Sequence, residues 1–284
     1  MPPAKALESY VPQRVYDTHL KTFADFETML ADIALTDVIF VGEQHDDANP
    51  HRLELAVLEG LIRRRVSLVL GMEMFERDAQ PAVDAYFAGS SEEPAFLAAA
   101  RPWPRYATDY RASVEFAREH HIPLIASNVP RRIAAEVAKT GLAAVESLGA
   151  DRGLVAADLD CALTGAYYDR FVQAMSDHTG SNATPLPDAA AKSDRYYLAQ
   201  CVKDETMGES IAAAVRPTDR HVTLVHYNGS FHIDFGEGTV AKARRRLPGR
   251  RLVVVSILPV EDLDRARPDD EDLTRADYLV YTVK

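Results

Sequence analysis

The sequence predicts an α/β fold: a mostly parallel central sheet flanked by helices, with a helical subdomain inserted in it. Short runs rich in Val, Ile and Leu recur at 37–41, 67–72, 123–126, 221–226 and 252–257. They lack polar alternation, as strands covered on both faces do. Helical periodicity fills the intervals between them, the strand–helix rhythm of an α/β chain. From 79 to 215 the rhythm breaks, leaving one strand candidate in an otherwise helical pattern.

Taken in order, the first run ends in Gly42, and the helix expected over 50–65 carries Leu53, Val57, Leu58 and Leu61 at helical spacing. Asn49 stands where a cap belongs and Pro50 in the first turn. The second run ends in Gly71-Met72-Glu73. Helices are expected over 110–121 and over 131–139, the latter stopped by Gly141. Residues 142–200 read as the inserted helical subdomain of a single domain spanning 1–284. Within it Tyr167, Phe171 and Met175 share a helical face followed by His178, and a polar loop at 180–187 leads into a long helix over 188–215. A helix over 240–247 stops at Pro248-Gly249 before the fifth strand. The acidic stretch 261–272 reads as a surface loop, and the alternating 278–283 as an edge strand.

The 284 residues are 47% hydrophobic and 26% charged, the make-up of a globular protein. A formal net charge of −11 opposes binding to nucleic acid or anionic membrane. Arg63-Arg64-Arg65 and Arg244-Arg245-Arg246 read as solvated helix ends, where cations suit the dipole. Cys161 and Cys201, the only cysteines, form no Cys-x-x-Cys and are expected as reduced thiols. No apolar stretch is long enough to span a membrane, and no signal peptide or lipoprotein signal is visible, so the chain as given reads as cytoplasmic unless an export signal was trimmed.

Function is expected where three strands end in glycine beside a proton- or metal-handling group, because ligands of open α/β sheets bind beyond the carboxyl ends of the strands. Gly42, Glu43 and His45 follow the first strand, Glu73 the second, and Gly229 and His232 the fourth. A carboxylate one residue from an imidazole can share a metal with it or orient it as a base. A carboxylate such as Glu73 at the end of an apolar strand must be paired, protonated or metal-bound. Arg77 and Arg131 are its alternative partners. His226 reads as a satisfied core histidine, and Asp204 as a local cap or pair. Asn128, Arg131 and Arg132 are placed to meet a bound anion. His45, His51 and Glu54 are expected on different faces of a loop and a helix. There is no Gly-x-Ser-x-Gly elbow, Walker loop or His-Glu-x-x-His.

Five motifs carry a resemblance: Val-Gly-Glu-Gln-His (41–45), Met-Glu-Met-Phe (72–75), Ala-Ser-Asn-Val-Pro-Arg (126–131), Gln-Cys-Val-Lys-Asp-Glu-Thr-Met (200–207) and Asn-Gly-Ser-Phe-His (228–232). In this order they resemble the ChaN-like haem-binding uptake family of the Tiki superfamily, which also holds Tiki proteases and erythromycin esterases. The resemblance implies an α/β core with a helical subdomain, and haem or iron binding. It places the family's glutamates and Gly-x-x-His histidines on Glu43, His45, Glu73 and His232, which in the wider superfamily resemble a hydrolytic centre and could hold a divalent metal. An axial tyrosine for haem is not carried by an alignable motif, and Tyr167, Tyr168 and His178 are the candidates beside the cleft. The leading expectation is a haem- or iron-binding protein with a small-molecule ligand, a homodimer being open. The alternative is an esterase or peptidase using the Glu/His centre.

Overall fold

A computed structural model of the chain describes residues 11–64, 66–179, 189–215 and 222–284, without the side chains of 177–179 and 189. Among the described residues the strands are β1 (Gln13–Asp17), β2 (Thr22–Ala24), β3 (Val38–Glu43), β4 (Leu68–Glu76), β5 (Leu124–Asn128), β6 (Thr223–Gly229), β7 (Leu252–Val260) and β8 (Tyr278–Val283), forming one sheet in the order β2-β1-β8-β7-β3-β6-β4-β5. From β8 to β5 every pairing is parallel, whereas β1 runs antiparallel to β8 and β2 antiparallel to β1. The expected mostly parallel sheet is therefore present, with an antiparallel hairpin added at one edge.

That hairpin corrects one expectation. β8 is not an edge strand: it lies between β7 and β1, buried along almost its whole length. Its polar-looking residues fit there because each hydroxyl is satisfied. Tyr278 donates to Asp32, Tyr281 to Asp272 and Thr282 to the Pro12 carbonyl. A buried hydroxyl with a partner costs little.

Helices cover both faces. One face carries α1 (Phe26–Ile33) and α2 (Ala48–Arg63), then α3 (Gln80–Phe87), α4 (Glu93–Ala100), α5 (Tyr106–Asp109) and α6 (Arg111–Glu119). Their Leu30, Ile33, Leu58, Leu61, Phe96 and Val114 share a core with Ile39, Val41, Leu70 and Val255. The opposite face carries α7 (Arg131–Thr140), α8 (Ala143–Glu146), α9 (Ala166–Thr179), the 26-residue α10 (Ala189–Ala214) and α11 (Gly238–Arg246). Ile211 and Ala212 of α10 and Val240 and Ala243 of α11 pack on Val38, Phe40, Leu224 and Val254. A short α12 (Asp272–Arg275) precedes β8. Among the described residues no helix is long and apolar enough to cross a membrane.

Asp47, not Asn49, caps α2 by accepting from the Asn49 N–H, while the Asn49 amide donates to the Val283 carbonyl. The cysteines also differ from expectation: Cys161 and Cys201 form a disulfide. The segment before Cys161 climbs α10 by three hydrogen bonds, from Ala156 N to Thr206, Ala157 N to Glu209 and Asp160 N to Glu205, which sets the two cysteines side by side. The basic runs are paired more than solvated. Arg63 and Arg64 both meet Glu27, and Arg245 and Arg246 meet the buried Glu205 together with Lys242. Arg65, His221 and the expected loop at 180–187 lie outside the described residues.

Candidate functional site

The parallel register brings the strand ends together. Glu43 at the end of β3 stands opposite Gly229 at the end of β6, and Met72, just before Glu73, stands opposite Tyr227. His45, just beyond β3, lies over Gly229, where a Cβ would fall 2.6 Å from its Nε2. Only glycine leaves room for the ring. The Gly229 N–H donates to Glu73 Oε2 at 2.9 Å, and Glu73 Oε1 faces His232 Nε2 at 3.2 Å. Glu43, His45, Glu73 and His232 thus meet around the Gly229 turn.

Each of the four has a distinct state. Glu43 is buried and accepts at Oε1 from His45 Nδ1 at 2.5 Å and from the Tyr110 hydroxyl at 2.8 Å. Burial works against its charge, but His45 and His51 outweigh that and hold the carboxyl below its ordinary range. For His45, burial pulls the pKa down while the Glu43 bond and the Glu73 charge push it up, with a net rise. His45 is the accessible member, its side chain 43% exposed beside Trp103, whose ring centroid is 4.8 Å away. His232 is buried between two carboxylates, with Nδ1 2.6 Å from Asp204 and Nε2 facing Glu73. Desolvation opposes its charge, yet Glu73 and Asp204 push its pKa up to about 10, so it is an imidazolium with both nitrogens engaged. Glu73 is held low, its burial outweighed by His232 and then His45.

Sequence reasoning missed Asp204 as part of this centre. It accepts from His232, from Tyr167 at 2.8 Å and from Thr239 at 2.8 Å, so it joins α10 to the cleft rather than pairing locally. The Gln200 amide, one helical turn earlier, lies 3.2 Å from both His232 nitrogens. The spacing of Gln200 and Asp204 on one face of α10 was the available signal.

Other expected residues divide. Tyr167 joins the cluster through Asp204, with its ring 5.5 Å from that of Phe231, which is 36% exposed. Tyr168 does not join it, since its hydroxyl goes to Asp194 at 2.6 Å and ties α9 to α10. Asn128 is occupied in clasping β5 to β4, donating to the Glu73 carbonyl and accepting from Val129 N. Arg131 is exposed at the start of α7, and Arg132 pairs with Asp78 and Asp151. The His178 side chain lies outside the described residues. Arg77 bonds to Ser210, Thr206 and Glu209, leaving Glu73 to His232. His226 is fully buried between Asn228 and Ser127, its pKa lowered to about 4 by burial, and so is a neutral core histidine.

His45 and His51 take opposite oxygens of Glu43, as the different faces of a loop and a helix require, but the sequence reading did not bring His51 and Glu54 to that carboxylate. His51 and Glu54 turn inward from α2 onto the side of Glu43 away from His45. Among the described residues, Glu43, His51 and Glu54 are the one group of three His, Cys, Asp or Glu side chains whose donor atoms all lie within 4.8 Å of one another. The spacing of His51 and Glu54, one turn apart on the same helical face, was the legible signal.

A sequence model described as "Haem-binding uptake, Tiki superfamily, ChaN" matches residues 29–242. The chain belongs to this family. The fold agrees. The ChaN of Campylobacter jejuni, solved with cofacially bound haem, superposes with a TM-score of 0.69 at 16% identity, covering 96% of this chain and 97% of that one. A Bacillus cereus protein gives 0.51 at 12% identity, with 90% of each chain covered. The type III effector HopBA1 gives 0.50 at 11%, covering 90% and 92%. At these identities the likeness is one of fold. No curated protein matches the chain.

Proposed function

We propose that this ChaN family member binds haem at the rim of the cleft, with His45 as the protein ligand to iron. The Glu43–His45 bond carries the reading. It occupies Nδ1, so the lone pair of the neutral ring resides on Nε2, and a carboxylate on the far nitrogen raises ligand basicity. Haem would supply an iron that accepts a nitrogen or oxygen ligand from the protein, carried in a broad apolar ring that aromatic side chains can cover. The residues at the rim fit such a group. His45 is accessible beside Trp103, and Phe231 groups with Tyr167 and Phe171 to give aromatic surface along α9. Tyr167 is a poorer axial donor, because burial and the Asp204 carboxylate hold its phenol protonated. The helices after residue 142 belong to this proposal as one wall, through α9 and α10. The homodimer belongs to it as well, since a haem seated on an open rim leaves its second face for another copy.

Hemin titration followed in the Soret band tests this. Stoichiometric binding is expected from the parent protein, with a shifted and weakened band in His45→Ala and unchanged spectra in Tyr168→Phe. Sedimentation with and without hemin tests the homodimer. An unperturbed Soret band with the parent protein overturns the reading.

One observation favours hydrolysis as the second reading: the same bond prepares His45 to take a proton from water at Nε2 while Glu43 stabilises the imidazolium. It ranks second because the Gly229 N–H beneath His45, a natural donor to an oxyanion, is already bonded to Glu73. Loss of a general base costs about a hundredfold to ten-thousandfold in rate, so ester or peptide hydrolysis abolished in His45→Ala would establish it.

A further inference from the structure

We propose that Glu43, His51 and Glu54 form a buried site for one divalent transition-metal cation, separate from the haem-binding rim. The three side chains are between 1% and 4% exposed and come from two elements, the end of β3 and one face of α2. His51 Nδ1 stands 2.6 Å from Glu43 Oε2 and 3.5 Å from Glu54 Oε2. Despite this closeness, neither His51 nitrogen, Glu43 Oε2 nor Glu54 Oε1 makes a hydrogen bond. Buried polar atoms are almost always satisfied, and His51 Nδ1 and Glu43 Oε2, facing each other with Glu54 beside them and no directed hydrogen bond, need an explanation. Atoms that approach without hydrogen-bond direction are what a set of metal donors provides. Ligands about 2.0–2.2 Å from a tetrahedral ion stand roughly 3.3–3.6 Å apart, as His51 Nδ1 and Glu54 Oε2 already do at 3.5 Å, while the His51–Glu43 pair at 2.6 Å must open on binding.

Charge points the same way. Two buried carboxylates face one imidazole nitrogen, and a divalent ion balances both. One imidazole and two carboxylates suit Zn(II) or Mn(II) rather than thiol-seeking ions. The surroundings supply support at the back of the donors. Tyr110 donates to Glu43 Oε1, and Asp109, itself held by Arg105 at 2.6 Å, stands 3.6 Å from His51 Nε2, where metal-bound histidines place an orienting carboxylate. Glu43 would then serve two sites, Oε1 toward His45 and Oε2 toward the ion.

Equilibrium dialysis of chelator-stripped protein against Zn(II) or Mn(II) tests this, with bound metal measured by mass spectrometry. One ion per chain is expected. Glu54→Gln, which keeps the shape and removes the charge, should weaken uptake by about a hundredfold or more, since even outer-shell losses cost 10- to 100-fold. His45→Ala should retain the ion while losing haem, so failure at one site does not mimic failure at the other. If Glu54→Gln does not fold, thermal unfolding of the parent protein decides: the ion should raise the midpoint and chelator should lower it. Folded parent protein that takes up neither ion, or a folded Glu54→Gln that binds as tightly as the parent, overturns the proposal.

Discussion

His232 and His45 differ in character though they share one cleft: the first is a buried cation, the second an accessible imidazole. For His232, the folded pKa lies near 10, above its ordinary value of 6.5, so its pairing stabilises the fold fully below about pH 6.5 and is lost as pH rises through about 10. Glu73 has the opposite sign, its folded pKa lying below 4.5, so its contribution is present above that value and fades as pH falls below it. Denaturant unfolding should therefore show stability declining from neutral pH toward pH 10, and His232→Gln should lower the neutral value by about 3–5 kcal/mol, because it leaves Glu73 and Asp204 buried without their cation. A His232→Gln protein as stable as the parent, with the same alkaline profile, would contradict this. Gly229→Ala tests the rim independently. Its Cβ would land 2.6 Å from His45 Nε2, so the ring must swing away and hemin affinity should fall at least tenfold while far-ultraviolet circular dichroism is unchanged. The four residues meeting at Gly229 were legible in the sequence because each lies at or near the carboxyl end of an apolar strand run, although β4 continues past Glu73 to Glu76. His51, Glu54 and Asp204 were not, because their roles depend on how α2 and α10 are rotated against the sheet, which local spacing allows but does not select.

At the scale of elements, the parallel strands were readable from apolar runs, since burial on both faces removes the polar alternation that obscures other strands. β1 and β2 escaped notice because a short edge hairpin keeps polar residues and has little apolar run to see. β8 was seen and then misplaced, its Tyr and Thr hydroxyls hiding their buried partners from the sequence. The pairing of Cys161 with Cys201 was equally hidden, for it depends on the 156–160 segment lying along α10. The same helix depends on Glu205, a fully buried carboxylate that meets Lys242, Arg245 and Arg246 and so fastens α10 to α11. Glu205→Gln should cost about 3 kcal/mol, the lower end for a broken buried pair because Arg245 reaches solvent. Since Gln200 and Asp204 share that helix, hemin binding should weaken with it. A stability loss under about 1 kcal/mol in equilibrium unfolding would show that the cations find water as good a partner.

Across the whole molecule, the candidate site has no local existence. Glu43, Glu73 and Gly229 come from three different strands, His45 from a loop, and Asp204 from α10, so the unfolded chain offers separated side chains and no pocket. A ligand that needs this assembly binds the folded state alone and stabilises it by mass action. Free hemin at about a hundred times its dissociation constant should add about 2.7 kcal/mol. For a chain of this size each kcal/mol moves the unfolding midpoint by about 2–4 °C, which gives a rise of roughly 5–10 °C. His45→Ala should remove most of that rise, read against the variant's own ligand-free midpoint, which the loss of the His45 bond to the buried Glu43 lowers. The net charge of −11 supplies the control, since duplex DNA at the same molarity has no counterion-release term to gain and should leave the midpoint where it was. Hemin that raises the midpoint equally in the parent and in His45→Ala would place the haem away from this cleft, because only a ligand held at His45 loses its grip on the folded state when that imidazole is removed.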